Sequence, residues 1–368
     1  MRFVIACGGT GGHFYPGYAL GKALIRRGHE VLFVLRTDDP AGPRLAAEDL
    51  PFAELDVRGL PRRPTLEWGA VLLKLIGSLR VARNILKAYR PRAAVGMGGY
   101  LSVPVSIAAA SRGVPLILHE SNSVLGLANR LCLPLADELA LGLPLNQLPF
   151  SSTPKRLVGT PVREELWAPA DSAAARSELG LSPGRTTLLA FGGSQGARSI
   201  NLSLPAGLAQ LRRSGADFQV LHLAGKADAQ EVERLYKESD VPARVLPYLD
   251  AMHLGYAAAD LAVCRAGAAT LAELAARSKP ALLIPYPSAT AGHQESNALV
   301  FEDAGAARML REPVSAESIA GTLGPLLGDR EALRAMSSAY ERIGLPSAQD
   351  CVRMLADLVE KAAGGDSR

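Results

Sequence analysis

The chain begins with the stretch FVIACGGTGGH, residues 3–13, in which an apolar run stops at a cluster of glycines. Such a run is typical of a buried strand, and glycines at its end let the backbone turn sharply into a helix. A second stretch of the same form, TLLAFGGSQGA, spans residues 187–197. Together they predict two α/β units, each with a glycine-rich loop after its first strand.

Short apolar runs alternate with longer helical patterns along both halves, which favours parallel sheets covered by helices on both faces. We expect strands at residues 3–7, 31–35, 93–95 and 116–118, and again at 187–191, 219–223, 261–264 and 281–284. A chain of 368 residues is longer than those that usually fold around a single hydrophobic core. We therefore expect two doubly wound Rossmann-like domains, residues 1–160 and 161–346, followed by a helix at 347–363.

Composition excludes several classes of protein. Hydrophobic residues make up 48% and charged residues 21%, as in ordinary globular proteins. The four cysteines form no CxxC pair, which favours a reducing compartment, and no apolar stretch is long and uncharged enough to cross a bilayer. A net charge of +4 is too small to indicate a nucleic-acid partner.

The first glycine-rich loop is a candidate anion site, because the helix after it offers unpaired N–H groups and a positive dipole end. It matches neither GxGxxG nor a P-loop, so a simple tight turn is the alternative. His13 follows the loop directly and could remove a proton from an acceptor hydroxyl, or could serve only as a hydrogen-bonded cap. The motifs MGGYLS (97–102) and HESN (119–122) follow later strands, where Glu120 could be a supporting partner and Asn122 a helix cap.

The second half holds CRAGAATLAE, residues 264–273, in which Thr270 and Glu273 lie one helical turn apart. Glu273 could accept both hydroxyls of a ribose, or the pair could form a capping box. Gln294 and Asn297 of HQESN carry amides that suit sugar hydroxyls. The chain has no Asp-x-Asp pair for a metal, so we expect helix dipoles, backbone amides and Arg163 or Arg265 to balance a diphosphate.

Residues 58–92 carry nine basic residues and one acid, Glu67. An apolar helical face beside clustered cations suits an anionic membrane surface, although a solvated helix covering a sheet is the alternative. We expect membrane contact from seven residues of this segment: Leu72, Leu75, Ile76, Leu79, Arg80, Arg83 and Lys87. Leu86 lies on the same apolar side in this interpretation.

These motifs stand in the order GGTGGH, GGY, HESN, GTPVR, GGSQGA, CRAGAATLAE and HQESN. In that order the chain resembles, over nearly its whole length, the MurG family of bacterial cell-wall enzymes in glycosyltransferase family 28. The family consists of undecaprenyldiphospho-muramoylpentapeptide β-N-acetylglucosaminyltransferases. The resemblance implies a GT-B fold with an inter-domain cleft, an N-terminal domain that takes the acceptor and associates with the membrane, a C-terminal domain that binds UDP-N-acetylglucosamine, and a final helix that packs back on the first domain.

The implied reaction is inverting transfer of N-acetylglucosamine from UDP-N-acetylglucosamine to the C4 hydroxyl of lipid I, giving lipid II in peptidoglycan synthesis. The resemblance implies no cofactor and no essential metal. It also implies peripheral attachment at the cytoplasmic face of the inner membrane, contacts with cell-wall or division machinery, and no nucleic-acid partner. A UDP-N-acetylglucosamine 2-epimerase and a UDP-sugar sensor without activity are the alternatives, and a sensor has no use for a base at His13.

The resemblance also assigns site residues. His13 is the favoured base. The sugar or the diphosphates meet Thr10, Gly11, Gly12 and Asn122. The donor pocket is lined by Arg163, Ser194, Leu249, Ala268, Ala269, Thr270, Leu271, Ala272, Glu273, Gln294 and, from its amide, Asn297. Within that set Glu273 binds ribose and Leu249 offers its backbone to uracil. Two departures from the family pattern, Ala266 in place of a common serine and the segment YLDAM at 248–252, bear on the uracil contact.

Overall fold

A computed structural model describes residues 1–57, 67–193 and 196–364. In the helix that begins at Glu67, the side chains of residues 67–73 and 75 lie outside this description. The chain divides into a first unit, Met1–Arg163 with Pro346–Arg368, and a second unit, Glu164–Leu345.

The first unit contains strands β1 (Arg2–Ala6), β2 (Glu30–Arg36), β3 (Phe52–Leu55), β4 (Ala93–Gly96), β5 (Leu116–Glu120), β6 (Glu138–Leu141) and β7 (Lys155–Leu157). Its helices are α1 (Gly11–Arg26), α2 (Gly42–Ala47), α3 (Glu67–Tyr89), α4 (Gly99–Ala110) and α5 (Leu127–Cys132). The last helix of the chain, described below, belongs to the same unit.

The second unit contains strands β8 (Thr187–Phe191), β9 (Gln219–Leu223), β10 (Ala243–Leu246), β11 (Leu261–Cys264), β12 (Ala281–Leu283) and β13 (Ala307–Met309). Its helices are α6 (Ser172–Glu178), α7 (Arg198–Arg213), α8 (Ala229–Glu238), α9 (Met252–Ala258), α10 (Ala268–Ala276), α11 (His293–Asp303), α12 (Ala316–Leu327) and α13 (Arg330–Ser338). Short 3-10 turns occupy Leu133–Leu135, Glu164–Leu166, Thr290–Gly292 and Ala339–Ile343.

Each unit is built on one parallel sheet. The strand orders are β3-β2-β1-β4-β5-β6-β7 and β10-β9-β8-β11-β12-β13. In both sheets the first strand of the unit lies inside the sheet, third in the order, and the chain winds outward from it to either side. This is the doubly wound arrangement that the sequence predicts, and it brings the carboxyl ends of the strands to one edge of each sheet.

The last helix, α14 (Ala348–Gly364), completes the core of the first unit. Leu355, Leu358 and Val359 are buried in the same cluster as the sheet residues Phe3 and Ile5. Ion pairs reinforce the packing: Arg27 contacts Asp357 and Glu360, each at 2.7 Å, and His29 contacts Glu360 at 2.7 Å.

All eight expected strands are present, with ends within two residues of the expectation. Five further strands, β3, β6, β7, β10 and β13, escaped the sequence analysis. They have three or four residues each, and β7 and β10 carry exposed cations in place of a continuous apolar run.

Candidate functional site

The first glycine-rich loop joins β1 to α1. The amide of Gly9 donates to Asp39 Oδ2 at 2.6 Å, and the other carboxylate oxygen accepts from the amide of Ala41. Asp39 is buried at the end of β2, beside β1 in the sheet. Gly11 and Gly12 form the first turn of α1, where backbone amides have no preceding carbonyl to bond. The loop is therefore anchored by a carboxylate that the sequence analysis missed.

His13 is half-buried in the first turn of α1, after the extended cap residue Thr10. Its Nδ1 lies 3.1 Å from Thr10 Oγ1. The imidazole also lies against the turn before α4, since a Cβ on Gly98 would stand 3.2 Å from Nε2 and one on Gly99 would stand 3.3 Å from Nδ1. Both glycines have positive φ, which favours glycine, and a Cβ at either position would crowd the ring. The motifs GGTGGH and GGY thus form one site around the ring.

Glu120 organises the loop that follows β5. It is 5% exposed, and its carboxylate accepts four hydrogen bonds of about 3 Å. The donors are the amide and side chain of Asn122, the amide of Gly126 and the side chain of Asn129. This is the supporting role considered for Glu120. Asn122 is not a helix cap, because α5 begins at Leu127 with Gly126 as its cap.

His119 lies in the interior behind this loop. Its Nε2 is 3.1 Å from the carbonyl oxygen of Gly159, and its Nδ1 is 3.3 Å from Ser121 Oγ. Burial lowers the pKa of His119, so the ring stays neutral and structural at ordinary pH.

Arg163 belongs to the first unit, whereas the expected domain border places it in the second. Its guanidinium lies 4.5 Å from the centroid of the Tyr15 ring. Tyr15 stands on α1, and its edge is 3.4 Å from a Cβ position on Gly11. The cation is therefore held beside the first glycine-rich loop by stacking on an aromatic ring that the sequence analysis did not single out.

The second glycine-rich loop joins β8 to α7. Ser194 lies outside the described residues. Gly196 lies close to the residue that follows β9, because a Cβ on Gly196 would stand 2.3 Å from the carbonyl oxygen of Ala224. Asn201 on α7 donates to the same oxygen at 2.8 Å and lies 3.1 Å from Nε2 of the buried His222. Asn201, His222 and the Ala224 carbonyl thus form a buried polar network beside Gly196.

Helix α10 carries Thr270 and Glu273, the polar pair of the second unit. Its cap is Gly267 and its cap position has no side-chain bond, so Thr270 and Glu273 do not form a capping box. Both are half-buried, and Glu273 Oε2 accepts a 2.7 Å hydrogen bond from the buried Tyr256. Half-buried Ala268, Ala269 and Ala272 lie on the same helix. The side chain of Leu271 on this helix is fully buried, so any contact of this residue with a donor would come from its backbone.

The segment HQESN opens α11. Gln294 Oε1 accepts from the amide of Tyr286 at 2.9 Å, so Gln294 holds the turn after β12. Asn297 is buried, and its side chain donates to the carbonyl of Ala266 at 3.2 Å. The Asn297 amide therefore helps to fix the turn before α10, and its expected sugar contact stays a prediction. Leu249 stands half-buried in the loop before α9.

Arg265 does not offer a free charge to a diphosphate. Its guanidinium pairs with Glu312 at 2.6 Å and donates to the carbonyl of Ile284 at 3.0 Å. A further bond of 2.9 Å reaches Ser199 Oγ on α7. The residue ties the turns after β11 and β12 to the helix after the second loop, which corrects the expectation of a diphosphate ligand.

The basic helix α3 is only partly as expected. The side chains of Leu72 and Leu75 lie outside the described residues. Ile76 is 43% exposed, and Arg80, Arg83 and Lys87 are exposed as well. Leu79 packs partly against the core and Leu86 is buried in it. The side that carries Leu86 therefore covers the sheet, and this corrects its assignment to a membrane-facing side.

Two negative findings hold for the part of the chain that the structure describes. No group of three or more histidine, cysteine, aspartate or glutamate side chains is arranged to hold a metal ion. No described helix is both long and apolar enough to cross a membrane.

Comparison with known proteins identifies the family. Residues 3–140 match the glycosyltransferase family 28 N-terminal domain, and residues 187–351 match its C-terminal domain. Two curated relatives are named UDP-N-acetylglucosamine–N-acetylmuramyl-(pentapeptide) pyrophosphoryl-undecaprenol N-acetylglucosamine transferase. The protein from Elusimicrobium minutum is 36% identical over 98% of this chain and 99% of its own, and that from Stutzerimonas stutzeri is 38% identical over the same shares.

Among solved structures, the crystal structure of Acinetobacter baumannii MurG is similar to this chain with a TM-score of 0.80. The match has 27% sequence identity and covers 98% of this chain and 99% of the other. It confirms the two Rossmann-like units expected from the sequence. The chain belongs to glycosyltransferase family 28 and, within it, to the MurG family of N-acetylglucosamine transferases.

Proposed function

We propose that this chain transfers N-acetylglucosamine, with inversion, from UDP-N-acetylglucosamine to the C4 hydroxyl of the N-acetylmuramyl residue of lipid I, giving lipid II for peptidoglycan synthesis. The observation that carries the proposal is the match of 98% of the chain to relatives named for this transfer. These names are those of transferases, and no finding supports the epimerase alternative.

The first unit supplies the acceptor side. In a single inverting displacement the acceptor oxygen attacks the anomeric carbon, a base takes its proton, and the bond from that carbon to the diphosphate oxygen breaks and releases UDP. His13 is the base in this proposal, because its ring stands at the carboxyl edge of the sheet between Thr10 and the turn at Gly98 and Gly99. Asn122, held by Glu120, lies on the loop after β5 of the same sheet. In this proposal it contacts the acceptor sugar or diphosphate.

The second unit supplies the donor side. Glu273 binds the ribose hydroxyls, and the backbone at Leu249 binds uracil. The start of α10 at Ala268 and Ala269 offers amides and a positive dipole end to the diphosphate, so the proposed reaction needs no essential metal. Thr270 and Gln294 complete the pocket, and Ser194 remains a prediction outside the described residues.

The test is a transfer assay with UDP-N-acetylglucosamine and a lipid I analogue of short prenyl chain, run in the presence of a chelator. We expect equal amounts of UDP and of the disaccharide product. Release of UDP without acceptor, or conversion of the donor to its 2-epimer, would show that the proposed reaction is wrong.

The base is tested by His13→Ala. We expect turnover to fall by about 10² to 10⁴, the usual contribution of a general base, while the donor dissociation constant changes less than about twofold. Turnover equal to that of the wild type would remove His13 from the chemistry.

We also propose that the first unit rests on the cytoplasmic face of the inner membrane, where its lipid-linked acceptor lies. Helix α3 exposes Arg80, Arg83 and Lys87. On α5, Leu127 and Leu131 are 50% and 58% exposed and lie one turn apart on one face, an apolar stripe that the sequence analysis did not single out. Exposed cations and apolar side chains are what an anionic lipid surface binds.

Replacing all three α3 cations with glutamine removes about 1 kcal/mol of membrane attraction per charge, or roughly a hundredfold in vesicle binding. Co-sedimentation with phosphatidylglycerol vesicles measures the loss. The control replaces three exposed cations of the second unit, Arg234, Lys237 and Arg330, and is expected to bind like the wild type. Equal binding to neutral phosphatidylcholine vesicles would contradict the electrostatic part of the proposal.

A further inference from the structure

Tyr256 is a buried tyrosine on α9 that the proposed reaction leaves without a role. Its hydroxyl donates to Glu273 Oε2 at 2.7 Å, and its side chain is fully buried. Burial, reinforced by the nearby Glu273 charge, raises the pKa of Tyr256 well above its usual value. The phenol therefore stays protonated at any physiological pH and is a permanent hydrogen-bond donor to the carboxylate.

The position of Tyr256 connects three elements of the donor side. The Phe191 ring, at the end of β8 where the second glycine-rich loop begins, packs against the tyrosine in a T-shaped contact with centroids 6.0 Å apart. The residue before it, Gly255, lies under the Leu249 side chain, because a Cβ there would stand 3.1 Å from Leu249 Cδ2. The Tyr256 hydroxyl reaches Glu273 on α10. Full burial and the contact with Phe191 therefore hold the ring whose hydroxyl bonds the carboxylate.

A carboxylate recognises two neighbouring hydroxyls only in a defined orientation, with one oxygen or lone pair aimed at each. Glu273 is half-buried, and a contact that holds its side chain in one orientation lowers the entropic cost of ordering it on binding. The bond from Tyr256 occupies one lone-pair site of Oε2 and so limits the directions in which the carboxylate can face.

We propose that Tyr256 is a positioning residue for nucleotide recognition: its hydroxyl orients the Glu273 carboxylate toward the vicinal hydroxyls of the donor ribose, so that preference for a ribonucleoside diphosphate sugar over its 2′-deoxy analogue depends on it. This inference rests on the proposed function, in which Glu273 binds the ribose.

The experiment compares Tyr256→Phe with the wild type, using UDP-N-acetylglucosamine and 2′-deoxy-UDP-N-acetylglucosamine as donors. Phenylalanine keeps the ring in its packed position and removes only the hydroxyl. For the ribose donor we expect KM to rise about tenfold, the size of one lost charge-assisted hydrogen bond, with kcat within about twofold. For the deoxy donor we expect KM to change less than about threefold, so the preference of the wild type is largely lost.

Tyr340→Phe is the matched control. Tyr340 is a buried tyrosine of the same unit whose hydroxyl donates to the backbone carbonyl of Lys279. We expect it to lower the thermal midpoint about as much as Tyr256→Phe and to leave donor preference unchanged. In a Glu273→Gln background, where the ribose contact is already impaired, adding Tyr256→Phe is expected to cause no further loss of preference.

Two results separate the inference from its basis. If Tyr256→Phe weakens both donors by the same factor while the wild type transfers sugar and prefers the ribose donor, Tyr256 has only a structural role and the inference is overturned. If the wild type transfers no sugar to the lipid I analogue, the proposed function is refuted and the inference falls with it.

Discussion

Replacing Glu120 with glutamine tests whether a single carboxylate holds the acceptor-side loop. Each carboxylate oxygen of Glu120 accepts two N–H bonds: Oε1 from the amide and side chain of Asn122, and Oε2 from the amide of Gly126 and the side chain of Asn129. Glutamine has one oxygen and one NH₂ group. In either orientation the NH₂ group faces two N–H donors, so two bonds are lost and replaced by a repulsive contact.

The magnitude follows from the kind of bond. A hydrogen bond to a charged group contributes about 1.5–3 kcal/mol, so two lost bonds cost about 3 kcal/mol at the lower end of that range. The loss falls on local opening of residues 121–129, because the four donors belong to that segment. An opening free energy lowered by about 3 kcal/mol corresponds to roughly a hundredfold faster amide exchange.

Hydrogen exchange with mass spectrometry on a peptide that covers this loop measures the effect, and the transfer assay shows its cost in turnover, which we expect to fall at least about tenfold as Asn122 is displaced. The control is Glu138→Gln, which removes one ion pair to the half-exposed Arg156. A pair of that kind contributes about 1 kcal/mol or less, so exchange and turnover should stay near the wild type. Exchange in Glu120→Gln within about threefold of the wild type, with full turnover, would refute the reasoning.

Two further predictions concern the surroundings of His13 and of His222. Gly99→Ala places a methyl group 3.3 Å from His13 Nδ1 at a φ of +71°, whereas the control Gly113→Ala has a φ of +66° and nothing within 4 Å. Both variants should lose about 1 kcal/mol of unfolding free energy in urea, and only Gly99→Ala should lose turnover. Equal activities of the two variants would contradict the placement of His13. Burial lowers the pKa of His222 to about 3, below the 6.5 of the unfolded chain, so the folded second unit binds fewer protons between these values. Its stability should therefore fall as pH drops below about 6.5, by up to about 1.4 kcal/mol per pH unit from this group, and His222→Gln should flatten that slope in acid unfolding; an unchanged slope would contradict it.

The sequence predicts the centre of each sheet and not its borders. Strands β1 and β8 are continuous apolar runs because both of their faces are covered. Strands β7 and β10 carry the sequences KRL and ARVL and are held mainly by pairing with a neighbour, which leaves no periodic signal. Register with the preceding strand, a property of the folded sheet, creates these edges.

The candidate site divides in the same way. His13 and Glu273 could be predicted because each stands next to a glycine-rich or small-residue turn in the sequence. Asp39 and Tyr256 were missed, because they lie 30 and 17 residues away from the groups that they bond. For Asp39 a signal was available: an acid at the carboxyl end of the strand that pairs with β1 falls on the same sheet edge as the loop. The sequence carries no comparable signal for Tyr256, since a tyrosine in an alanine-rich helix is typical of a hydrophobic core.

The return of the chain to its first unit has a consequence for biogenesis. A ribosome releases residues 1–163 first, yet Leu355, Leu358 and Val359 of α14, which fill the face of that unit's sheet, are made only after the whole second unit. The second unit is continuous, so it can close while the earlier part still exposes an apolar surface, which reverses the usual order in which the N-terminal domain folds first. Until α14 has been made, the first unit exposes the apolar surface that chaperones bind.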